Sequence, residues 1–146
     1  MYELRFDINP VAASRPRVTR AGHTYYAGPY KDFRKAMTQQ IEERVGDFEP
    51  LLAPLNVAIV CHITKPKTTK LPYPRADVDN YAKAVLDSLN GVIWEDDKQI
   101  TSLSINKGWT ESHEQPGWIE LFIEVEDGAD YEQDEDGTWR YIRYRA

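Results

Sequence analysis

The sequence predicts an α+β fold, a mixed sheet with helices packed on it, whose elements run β-α-β-α-β-β. Three observations predict it. Apolar residues alternate with polar ones around 4–8, 55–63 and 119–125, the period of a strand with one buried face. They recur every third or fourth residue over 33–45 and 79–90, the period of an amphipathic helix. The two patterns interleave along the chain instead of segregating, so helices and strands must share one core. At 146 residues, with 41% hydrophobic and 12% aromatic residues, the chain has the length and composition of one globular domain.

Each element follows in order. Leu4, Phe6 and Ile8 alternate with Arg5 and Asp7 up to Pro10, which cannot continue a strand ladder. Residues 11–29 show no period, contain Pro16, Gly22, Gly28 and Pro29, and read as a long surface loop. Phe33, Met37, Ile41 and Val45 then form one helical stripe that Gly46 ends. Leu55, Val57, Ile59, Cys61 and Ile63 make the strongest strand pattern, with Cys61 on its apolar face and His62 on the other. Residues 65–75 are basic and broken by proline, hence a loop. Val78, Tyr81, Val85 and Leu89 mark a second helix closed by Asn90-Gly91. Leu103 and Ile105, then Ile119, Leu121, Ile123 and Val125, predict two last strands joined as a hairpin around the turn-rich 111–117. The domain so read spans 1–126. Residues 127–146 form an extension, acidic to Gly137 and aromatic and basic after it.

Charge is distributed unevenly. The net charge is −6, but residues 1–90 carry 13 Lys and Arg against 10 Asp and Glu, net +3, whereas residues 91–146 carry 5 against 14, net −9. Within the first part lie three basic clusters: Arg15, Arg17 and Arg20; Lys31, Arg34 and Lys35; and Lys65, Lys67, Lys70 and Arg75. These are candidate phosphate contacts. The single Cys61 finds no disulfide partner in the chain and builds no zinc site, which points to the cytoplasm. No leader pattern opens the sequence and no apolar run approaches the roughly 20 residues of a membrane span, so no membrane partner is expected.

The chemistry concentrates in two acidic stretches, Asp77-Val78-Asp79-Asn80 running on to Lys83 and Asp87, and Trp94-Glu95-Asp96-Asp97-Lys98-Gln99. Two carboxylates two residues apart repel each other, and a hard divalent cation relieves that best, with oxygen ligands favouring Mg²⁺ or Mn²⁺ over zinc. A purely architectural reading stands beside it: Asp79 caps the helix, Asp77 sits in a turn, Lys83 makes a one-turn ion pair, and Asp96-Asp97 is an exposed turn. A phosphatase forming an aspartyl-phosphate is excluded, because Leu71-Pro72-Tyr73-Pro74-Arg75 cannot be the buried strand its nucleophile ends. A calcium loop is excluded because neither Asp77-x-Asp79 nor Asp134-x-Asp136-Gly137 continues to a glutamate at position twelve. Three alternatives stay open: a nuclease using Asp96-x-Lys98 with Asp77, a metal nuclease acting on other branched DNA, and a non-catalytic module that binds branched DNA.

The run Asp77-x-Asp79-Asn80-x-x-Lys83-x-x-x-Asp87-x-Leu89, followed by Trp94-x-Asp96-Asp97-x-Gln99, resembles the RusA family of Holliday-junction resolvases, and the likeness extends over about residues 4–126. The resemblance implies a homodimeric, Mg²⁺-dependent crossover junction endodeoxyribonuclease, with no organic cofactor, that cuts four-way DNA junctions by paired symmetric nicks. It implies catalytic roles for Asp77, Asp79, Asp97 and Lys83, with the three aspartates, and Asp96 as a less certain neighbour, holding metal. Family members typically serve phages and prophages, in the recombination and repair of branched DNA. Arg15, Arg17, Arg20, Lys65, Lys67, Lys70 and Arg75 are the expected DNA contacts.

Overall fold

The computed structural model describes residues 1–26, 28–126, 131–133, 135–137 and 139–141. Strand β1 (Tyr2–Phe6) is followed by a short hairpin, β2 (Arg17–Val18) and β3 (Thr24–Tyr25), then helix α1 (Pro29–Arg44) and strand β4 (Leu55–Ile63). Helix α2 (Val78–Leu89), a 3₁₀ turn (Asp97–Gln99), β5 (Ile100–Trp109) and β6 (Trp118–Val125) complete the domain. Beyond it, β7 (Tyr131–Gln133) pairs with β8 (Trp139–Tyr141) as a two-stranded ladder within the acidic and aromatic extension.

The main sheet has the order β1-β6-β4-β5, antiparallel except for the parallel β4–β5 pair. The fold is therefore the α+β mixed sheet expected. Strand β4 alternates strictly: Leu55, Val57, Ile59, Cys61 and Ile63 are buried, while the residues between them are half-buried on the other face. Phe6 of β1 and Ile119, Leu121 and Ile123 of β6 join that buried face. Tyr30, Phe33 and Met37 of α1, with Tyr81, Val85 and Leu89 of α2, cover it to form one core. Helix α1 is also tied to the β1 end by Gln40, which bonds both the amide and the carbonyl of Asp7 (2.9 and 3.1 Å), and by Arg44, which reaches the Asp7 carboxylate at 2.6 Å.

Three expectations need correction. The segment 11–29 is not wholly irregular, since it contains the β2–β3 hairpin; α1 then begins at Pro29, a preset first helical residue after Gly28 at φ 66°. Strand β5 begins at Ile100, earlier than its apolar residues announce. The third concerns pairing: β5 and β6 do not form a hairpin, because β4 lies between them. The most continuously apolar strand takes the centre, where both edges are paired, and 111–117 must cross its end. There Thr110 N bonds the Ile63 carbonyl and Thr64 Oγ1 bonds that of Gln115. Gly117 is needed at this crossing, because any Cβ would overlap the Asn9 side chain and the His62 carbonyl.

This topology has one consequence for function. Because β4 and β5 run parallel, α2 starts at the C-terminal end of β4 and returns to its N-terminal end, where the 3₁₀ turn leads into β5. The starts of α2 and of β5 thus lie at opposite ends of the sheet.

Candidate active site

Asp77 is the N-cap residue of α2, extended at φ −66° and ψ 144°, and its carbonyl accepts from the amides of Asn80 and Tyr81 at 3.1 and 3.4 Å. Asp79 stands in the first helical turn, so the cap falls on Asp77 and not on Asp79. Neither side chain does the work of a cap. Asp77 makes no side-chain bond to the helix amides, and among the described residues both carboxylates lack hydrogen bonds and ion pairs. Both are exposed. The amide field of the helix start favours negative charge there without consuming the oxygens.

The basic segments converge on this end. The loop 65–75 runs directly from β4 into Asp77, and the N-terminal segment lies along α2, with Ala13 N donating to the Asn80 carbonyl at 2.9 Å. A groove of about 620 Å³ lies between the N-terminal segment and the starts of the two helices, lined by Arg15, Arg17, Tyr30, Ala76 and Tyr81 among others. Arg20 sits in the turn of the β2–β3 hairpin. Among the described residues Arg15, Arg17, Arg20, Lys65, Lys67, Lys70 and Arg75 form no ion pair. Lys83 differs. It pairs with Asp87 one turn on at 3.2 Å, and that hydrogen bond and charge hold its ammonium pKa above the usual lysine value. The one-turn ion pair thus exists, toward Asp87.

The second acidic stretch is at the other end. Asp96 caps the 3₁₀ turn: its Oδ1 accepts from Lys98 N at 2.9 Å while Gln99 Oε1 accepts from Asp96 N at 2.9 Å, a reciprocal capping box. Gln99 also donates to the Leu51 and Ala53 carbonyls, fixing the turn beside the start of β4. Asp97 is the one whose carboxylate has no partner among the described residues. The geometry thereby separates neighbours that the sequence left together: one oxygen of Asp96 is engaged in the turn, and the Asp97 carboxylate is not.

The structure places Asp77 and Asp79 at the same helix start and leaves Asp97 apart from them within one chain. From Ile100, next to Asp97's turn, to Lys107, which contacts the residue before Asp77, β5 rises roughly 23 Å. Among the described residues no three His, Cys, Asp or Glu side chains lie close enough to share an ion. The donors fit a hard divalent cation in kind, being unpartnered carboxylates, but one chain gathers only two of the three.

Two further residues emerge. Cys61 is buried and its thiol pKa is pushed up to about 12 by burial, which makes it a core residue and not a nucleophile. Lys107 escaped the sequence reading. Its signal was a lysine in the apolar register of β5, at a position shared with Leu103, Ile105 and Trp109.

A model of the RusA endodeoxyribonuclease family matches residues 7–123. The chain belongs to the RusA endodeoxyribonuclease family. The match takes in both acidic stretches, the basic loops and Lys107, and stops before the C-terminal extension. The chain is also similar to the uncharacterized protein YqaN of Bacillus subtilis (strain 168), 28% identical over 120 residues that span 70% of this chain and 83% of that protein. Membership makes this RusA-family chain a nuclease-fold protein directed at DNA. No described helix is long and apolar enough to cross a membrane.

Proposed function

We propose that this RusA-family chain is a Mg²⁺-dependent endonuclease that resolves four-way DNA junctions by paired, symmetric phosphodiester hydrolysis, and that it works as a homodimer. The observation that carries the reading is the division of the acidic residues. Asp77 and Asp79 stand unpartnered in a basic end of the molecule, while the equally unpartnered Asp97 lies at the far end of β5. Two copies related by a twofold axis reunite them. An isologous contact that sets the α2 start of one copy against the 3₁₀ turn of the other builds two equivalent sites, each from Asp77, Asp79 and Asp97 of the partner subunit. Two such sites match the two equivalent strands of a four-way junction.

In each site the carboxylates of Asp77, Asp79 and Asp97 of the partner subunit would hold Mg²⁺, with Mn²⁺ as a substitute. When bound, the metal supplies the charge that activates water and stabilises the phosphate oxygens. The chain's own residues do the rest. The amide field at the α2 start and the rigid helix keep Asp77 and Asp79 in fixed relation. Lys83, bridging to Asp87, supports this face with a cation one turn away. Arg15, Arg17, Arg20, Lys65, Lys67, Lys70 and Arg75 hold flanking phosphates and orient the scissile one. Asp96 serves the turn that presents Asp97 and is not a ligand.

The test is a nicking assay on a synthetic four-way junction and a matched linear duplex, with Mg²⁺ or with EDTA, for the wild type and Asp79→Asn. Paired, metal-dependent cuts on the junction alone, absent in the variant, are expected. Junction binding without cleavage in any divalent metal would instead favour a structure-specific DNA-binding module.

A further inference from the structure

We propose that Lys107 is a positioning residue for Asp77, acting through the backbone that leads into it; this rests on the reading of Asp77 as part of the active site. Lys107 lies near the C-terminal end of β5 on the helix-covered face, half-buried, opposite Cys61 of β4. Its ammonium donates to the Pro74 carbonyl at 2.8 Å and to the Ala76 carbonyl at 2.6 Å, and lies 5.7 Å from the centre of the Tyr73 ring. An ammonium has three donors and no acceptor, and a half-buried one demands partners. Among the described residues Lys107 makes no ion pair, so the partners it has are all supplied by residues 73–76.

The placement of those partners gives the lysine its effect. The Ala76 carbonyl belongs to the peptide plane whose nitrogen is that of Asp77, and peptide planes are rigid. Holding that oxygen therefore fixes the plane from which Asp77 departs. On its other side, Asp77 is held by the first helical turn, through the amides of Asn80 and Tyr81. The residue is clamped at both peptides while its carboxylate stays free. Charge-assisted bonds to carbonyls are stronger than neutral ones, so a lysine does this better than any uncharged side chain. Lys107 is joined by its strand neighbours, since Trp109 Nε1 donates to the Leu71 carbonyl at 2.9 Å and Thr110 Oγ1 accepts from Lys65 N at 3.1 Å. The end of β5 thus holds the whole basic loop, and Lys107 holds its last step.

The test compares Lys107→Met, which keeps the stem and removes the donors, with Lys107→Gln, which keeps a single amide donor group. On a four-way junction, kcat should fall at least tenfold for Lys107→Met and less for Lys107→Gln, with KM and junction affinity unchanged. Hydrogen exchange supplies a readout independent of cleavage: the amides of Asn80 and Tyr81, which bond the Asp77 carbonyl, should exchange faster in Lys107→Met, while those of 85–89 keep wild-type protection. If wild type cleaves no junction, the nuclease reading fails, yet the exchange result still decides whether Lys107 fixes this segment. Wild-type kcat in Lys107→Met, or unchanged exchange at Asn80 and Tyr81, would overturn the proposal. So would losses in both variants that simply track a fall in thermal stability and vanish at lower temperature.

Discussion

Two acidic pairs lie at opposite ends of strand β5 and use their carboxylates differently. At the start of α2, both Asp77 and Asp79 are free: the helix start needs a capping acceptor, Asp77 occupies the cap position, and its side chain still makes no capping bond. At the 3₁₀ turn, Asp96 is committed to a capping box and Asp97 alone is free. A cap left unmade forgoes about 1 kcal/mol of helix stability. Such a loss is tolerated where the carboxylate has another task. The comparison separates the aspartates by what each oxygen touches, and the proposed reading gives the three unengaged ones to chemistry.

The sharpest way to break this division is to neutralise each aspartate in turn. Asp77→Asn, Asp79→Asn and Asp97→Asn should each lower junction cleavage at least a hundredfold while leaving the fold and junction binding intact, since none of these side chains holds structure. Asp96→Asn, which keeps an acceptor for the cap, should cleave within a few-fold of wild type. Equal losses at all four positions would erase the distinction.

A second difference concerns charge. The end bearing Asp77 carries cations that form no ion pair among the described residues, whereas the 3₁₀ end has none of the three basic clusters. Replacing Arg15 or Lys67 by Ala should flatten the dependence of junction affinity on salt by about one unit of log–log slope for each phosphate no longer neutralised, measured by titration across salt concentrations. The smallest effect is on stability: Asp96→Ala should cost about 1 kcal/mol through removal of the cap, read from denaturant unfolding, and Asp97→Ala should cost nothing measurable.

Much of this was legible in the sequence. The strict alternation of β4 and the helical stripes of α1 and α2 are local patterns, and local patterns survive folding. So did the acidic motif, because its spacing is carried by one helix start. What was not legible depends on pairing between distant segments. Leu103 and Ile105 look like one arm of a hairpin with 119–125, and only competition for the central position puts β4 between them. The grouping of Asp97 with Asp77 failed within one chain for the same reason: a parallel crossover sends the two acidic stretches to opposite ends, and sequence distance does not reveal that. The distinction between Asp96 and Asp97 turned on a four-residue capping box that Gln99 completes, a pattern readable in the Asp96-x-x-Gln99 spacing. Lys107 was visible only as a charge in an apolar register.

The account's central claim is that each active site takes Asp77 and Asp79 from one copy and Asp97 from the other, and mixing variants tests it directly. Asp77→Asn and Asp97→Asn chains, each inactive alone, would be co-refolded in equal amounts, their co-assembly verified with two affinity tags, and assayed for nicking of a four-way junction. A shared site predicts that every mixed dimer keeps one intact site, so the mixture should recover about a quarter of the wild-type nicking, as single unpaired nicks. A mixture as silent as either variant alone, with mixed dimers present, would show that the aspartates act within one chain and would contradict the account.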